Sequence, residues 1–114
     1  MLDKDSKCSY IVDTKDIRFE WDQSKSISNI NKHGVSFEEA TTAFDDNQYI
    51  EIVDPDHSDH EERFTVMGIS AHNRLLVICH TTLNDDEVCR IISARIATKT
   101  EEKQYGEMTN ARRI

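Results

Sequence analysis

Three arginines, Arg63, Arg90 and Arg95, stand at or within segments that read as β-strands, where a guanidinium costs more to place than on a helix surface. A guanidinium can grip a phosphate bidentately, so three of them on neighbouring strands would make a compact phosphate site. Strict alternation puts Arg90 and Arg95 on opposite faces, so they share a site only if a bulge intervenes or the strand ends before Arg95. His80 sits late in an apolar strand, on the same face as Leu76 and Ile78. Its imidazole is either packed at the sheet edge or a general acid or base, because it titrates near working pH. Lys25 and Lys32, seven residues apart, share nearly one helix face with His33 beside them, which is a basic surface or a plainly solvated one. Arg90, Arg95, Lys99 and Lys103 gather positive charge in "CRIISARIATKTEEKQYGE".

Other chemistry is poorly supported. His57 and His60 form H-x-x-H, but Pro55 and the surrounding carboxylates of "DPDHSDHEE" favour a solvated acidic loop over a helical metal site. No G-x-S-x-G, H-E-x-x-H or phosphate-cradling glycine loop is present. Cys8, Cys79 and Cys89 are irregularly spaced with no C-x-x-C pair, and read as free thiols.

These residues need elements to hold them. The 114-residue chain suits one domain with one core. Its formal net charge of -8 lowers nonspecific attraction to RNA or acidic membranes, so any nucleic-acid contact must be local. No apolar run approaches the roughly 20 residues of a membrane span, and the start lacks a secretory pattern, so the expected location is the cytoplasm. Residues 1–16 read as a flexible extension, with a single domain over 17–114. "IRFEW" reads as a strand, Asp22 as the N-cap of the helix "QSKSISNINKH", and Gly34 as its end. "SFEEATTAF" opens a second helix with a Ser36/Glu39 capping box. Strand periodicity then occupies 49–53, 63–70, 74–82 and 87–95, with tight links at "AHN" and "LNDD". A turn centred on 84–85 leaves either Cys89 or Arg90 facing Cys79. Thr98 and Glu101 cap a last helix from about residue 99, which Gly106 is expected to break early. The order β-α-α-β-β-β-β-α is that of an α+β domain.

The stretches "FEWDQSKSISNINKHGVSFEEATTAF", "ERFTVMGISAHNRLLVICHT" and "RIISARIATKTEEKQY" closely resemble the BrnT family of type II toxin–antitoxin toxins. The resemblance implies a RelE-like fold, a small antiparallel sheet flanked by helices. It also implies a metal-independent endoribonuclease without cofactors, neutralised in a hetero-oligomer by a BrnA-like ribbon-helix-helix antitoxin through which operator DNA would be contacted. On that basis Arg63, Arg90 and Arg95 would hold the phosphorane-like charge. His80 or Glu62 would act as base, and Lys25, Lys32, His33 and Lys99 would grip the RNA backbone. A contrasting expectation is a catalytically weak member that acts with its antitoxin as a co-repressor. It rests on a departure from the family: Ile96, Thr100, Glu102 and Gln104 stand where basic residues would be common.

Overall fold

The structure, a computed structural model, describes residues 8–14, 17–53, 63–83 and 88–112. Its elements run β1 (Cys8–Thr14), β2 (Ile17–Asp22), α1 (Gln23–His33), α2 (Phe37–Ala43), β3 (Ile50–Val53), β4 (Phe64–Ile69), β5 (Leu75–Leu83), β6 (Val88–Ile96) and α3 (Lys99–Arg112). The helices and five of the strands follow the sequence reading within a residue or two.

Three features depart from it. Residues 8–14, expected to be part of a flexible extension, form an edge strand antiparallel to β2; "SYIV" supplies the β-formers that the charged residues around it obscured. Helix α3 continues through Gly106, which costs it about 1 kcal/mol relative to alanine but does not end it. The sheet, in the order β1-β2-β6-β5-β4-β3, is mixed rather than wholly antiparallel, because β2 runs parallel to β6. Helices α1 and α2 lie in the crossover between β2 and the later strands, as a parallel pair requires.

One sheet face carries α1 and α2. Phe19, Trp21, Leu76, Ile78, Cys89, Ile91 and Ala94 meet Val35, Phe37, Ala40 and Ala43 there. The other face packs Met67, Val77 and Ile50 against Tyr105 of α3 and Ala97. Local geometry follows from specific residues. Asp22 caps α1 by accepting from Ser24 N–H at 3.0 Å, and Gly34 ends it at φ 72°, a conformation that costs glycine little. Gly68 passes so close to α2 that a Cβ there would stand 2.5 Å from the Ala43 carbonyl oxygen. The β4–β5 turn has Asn73 at φ 65°, the left-handed conformation expected of it.

Candidate nucleic-acid interface

The β5–β6 register decides which side chains share a face. Leu83 pairs with Val88, Thr82 with Cys89, Thr81 with Arg90 and His80 with Ile91. The register then shifts, so that Cys79 pairs with Ser93 and Val77 with Arg95, leaving Ile92 as the extra residue of a β-bulge. The turn is therefore centred later than 84–85, and Cys79 faces Ser93 rather than Cys89 or Arg90. The bulge also reverses the alternation: Arg90 and Arg95 lie on the same face, the α3 face. Arg63 immediately precedes β4, whose first pair is Phe64 with His80. One residue further along that register stands Thr81, which faces Arg90, so Arg63 lies at the same end of the sheet.

Both arginines are held by carboxylates. Arg90, whose partner strand β2 sets Glu20 directly opposite, donates from Nε at 3.0 Å and lies 2.8 Å from Glu20 through Nη2. Its Nη1 makes no hydrogen bond among the described residues. Arg95 grips Glu101 bidentately, both bonds at 2.8 Å. Glu101 also closes the expected capping box: it accepts from Thr98 N–H at 2.9 Å, and its own N–H donates to Thr98 Oγ1 at 3.2 Å. Hydrogen bonds from Arg95 hold its carboxyl down to about 2, so it is a poor base at neutral pH. Glu20, the carboxylate that Arg90 touches, takes both of its contacts on one oxygen, Oε2. The sequence reading missed it, although its place on the polar side of "IRFEW" was the available signal.

The other proposed site residues do not join this face. His80 is 3% exposed and lies on the α1/α2 face with Phe64, so it shares no site with Arg90 and Arg95. Burial pushes its imidazole below the ordinary value, against the opposing pull of Glu51, whose Oε2 lies 3.2 Å from Nε2. Its Nδ1 is buried and makes no hydrogen bond of normal geometry. Lys25, Lys32 and His33 are exposed on α1, outside the α1/α2 core. Lys99, also exposed, begins α3 and follows the Arg95 strand closely. Glu62, like His57 and His60, lies outside the described residues.

Much of the remaining "WDQSKSISNINKHGVSF" pattern is architectural. Asn29 is buried and donates to Val35 O at 2.8 Å and Ala94 O at 2.7 Å, while Ala94 N–H donates back at 3.3 Å. β2 pairs with β6 only as far as Arg90, so Asn29 takes the place of a neighbouring strand just past the bulge. The Cys89 thiol, buried in the core, is pushed up to about 12 and is inert. No helix among the described residues is long and apolar enough to cross a membrane.

Comparison with known proteins agrees with this architecture. No curated protein matches the chain. Among solved structures, the ribonuclease toxin BrnT of Brucella abortus is similar over 69% of this chain and 94% of its own, with a TM-score of 0.50 and 22% identity, a likeness of fold. The family model described as the ribonuclease toxin BrnT of type II toxin–antitoxin systems matches residues 21–101. That span takes in the capped α1, the Asn29 bridge and the bulged arginine strand up to Glu101, and on it the chain belongs to the BrnT family of type II ribonuclease toxins.

Proposed function

We propose that this chain cleaves RNA without a metal ion on the α3 face of its sheet. The observation that carries the reading is the bulge at Ile92, which turns Arg90 and Arg95 to one side. Attack of an RNA 2′-oxygen on the adjacent phosphorus forms a 2′,3′-cyclic phosphate and expels the 5′-oxygen. Glu20 takes the 2′-OH proton, Arg90 offers N–H donors to the equatorial oxygens, and the leaving oxygen is protonated by solvent or a neighbouring acid. Arg95, clamped by Glu101, fixes the start of α3 beside this surface, with Arg63 and Lys99 flanking it. A BrnA-like ribbon-helix-helix antitoxin neutralises the toxin in the cytoplasm, and operator DNA is contacted through that partner.

The test is incubation of purified protein with mixed RNA in excess EDTA. Cutting should survive chelation and fall by about 10²–10³-fold in Arg90→Ala, the scale for losing a charge-stabilising donor. Cutting restored only by added divalent metal would refute the metal-free reading. One observation favours a second reading: both arginines already carry carboxylate partners, which lowers the field that a phosphate would meet. If wild-type protein cuts nothing at any salt concentration, the chain is a binding module that co-represses with its antitoxin.

A further inference from the structure

At the same end of the sheet, but on the α1/α2 face, a cavity of about 330 Å³ opens beyond the helices. Its walls include Phe44, Tyr49 and Phe64, with Glu51, His80 and Thr82 supplying the polar groups. Phe64 stacks on the His80 ring at 5.4 Å and 25°, Phe44 meets that ring edge-on at 5.4 Å, and Tyr49 meets Phe44 at 6.0 Å. The aromatic walls are therefore braced against one another. This volume lies at the lower end for small-molecule sites, and flat aromatic walls with a few polar groups suit one unstacked base.

Glu51 decides which base. It is the lone acid of β3, and pairing with Val66 puts it on the cavity face. Its side chain is 43% exposed, with Oε2 oriented by His80 Nε2. Oε1 has no hydrogen-bond partner among the described residues. A carboxylate only accepts, so its best planar partner presents two parallel N–H donors. Guanine does so with N1–H and the 2-amino group; adenine, cytosine and uracil each present fewer on one edge.

We propose that this aromatic cavity takes a guanine base, read by the Glu51 carboxylate that His80 orients. As a feature of RNA recognition the proposal rests on the ribonuclease reading. The geometry suits that role, because Thr82 and Cys89 of the cavity form the register row next to Thr81 and Arg90 on the opposite face. A strand rounding this end of the sheet can seat a base on one face and its phosphate on the other.

Titration of the full-length protein with GMP, IMP, AMP, CMP and UMP, followed by amide chemical shifts, tests the assignment. GMP should bind at least roughly tenfold more tightly than the others, with shifts centred on Glu51 and Phe64. IMP, which lacks the 2-amino group, should lose most of that advantage, a contrast that needs no variant. Glu51→Gln, with its dispersed spectrum as the folding control, should abolish the preference. Equal affinity for all five, no shifts at the cavity, or a preference that survives in Glu51→Gln would overturn the proposal. Replacing guanosine by inosine in a short RNA separates the sources: weakened RNA binding assigns the cavity to RNA, and unchanged RNA binding beside tight GMP binding assigns it to a free guanine nucleotide. Mononucleotide binding needs no cleavage, so a protein that cuts RNA yet ignores GMP refutes only the cavity, and one that binds GMP yet cuts nothing refutes only the nuclease.

Discussion

At the scale of single residues, similar side chains have opposite roles according to the face they occupy. Arg90 and Arg95 are partly exposed and paired with carboxylates, whereas His80 is buried among aromatic rings, where Glu51 and the Thr81 backbone favour its charged form but burial outweighs them. Burial therefore keeps His80 neutral in the folded chain, while the unfolded chain takes up a proton near the ordinary histidine value of 6.5. Because the folded value is depressed, stability is intact above 6.5 and falls as pH drops from there through the lower folded value. Urea denaturation midpoints measured from pH 7.5 down to 5.5 should decline over that window, and His80→Gln should flatten the decline. An equally steep decline in the variant would mean that another group controls it.

At the scale of elements, the central device is a strand that changes its side-chain alternation midway and loses one neighbour at the same point. Asn29 compensates by bonding both polar groups of the Ala94 backbone and the Val35 carbonyl from a buried position on α1. Asn29→Leu keeps the volume but strands buried backbone donors and acceptors, at about 1–3 kcal/mol for each group left unpaired. Denaturant titration should show a loss on the order of 3 kcal/mol, and a loss under about 1 kcal/mol would mean that water or a shifted strand replaces the amide. The sequence made α1 with its two caps and the start of α3 legible, because Asp22, Gly34 and the Thr98/Glu101 box act within a few residues of themselves. It left the arginine site open for a physical reason. A bulge is set by pairing between strands, so nothing in "CRIISAR" alone marks Ile92 as the extra residue. Glu20 and Glu51 were missed for the same reason, since Glu20 acquires Arg90 only when β2 meets β6, and Glu51 acquires His80 only when β4 sets β3 and β5 in register. Likewise, β-formers between charged residues at 8–14 look like a tail until β2 offers them an edge.

At the scale of the whole molecule, the proposed nuclease role requires a chain of formal net charge -8 to bind a polyanion against its own field. On the α3 face the arginines are pre-paired: Glu20 holds Arg90 and Glu101 holds Arg95, so both guanidinia are ordered in advance, at the cost of a weaker field for a phosphate. A phosphate that engages Arg90 then competes with Glu20 for the same donors, and the net release of counterions is small. Single-stranded nucleic acid gives a salt slope of about 0.7 per phosphate neutralised. With one or two contacts, the log of the RNA dissociation constant should rise with log salt at a slope of roughly 0.7–1.4. Glu20→Gln removes the competing charge and raises the net charge by one. It should tighten RNA binding and steepen the slope by up to about 0.7, even as it slows cleavage by removing the base. Fluorescence anisotropy of a labelled single-stranded RNA across 50–300 mM salt, at about two Debye-length regimes, measures both quantities. Unchanged affinity and slope in Glu20→Gln would show that RNA does not reach Arg90, and would place the phosphate contact elsewhere on the protein.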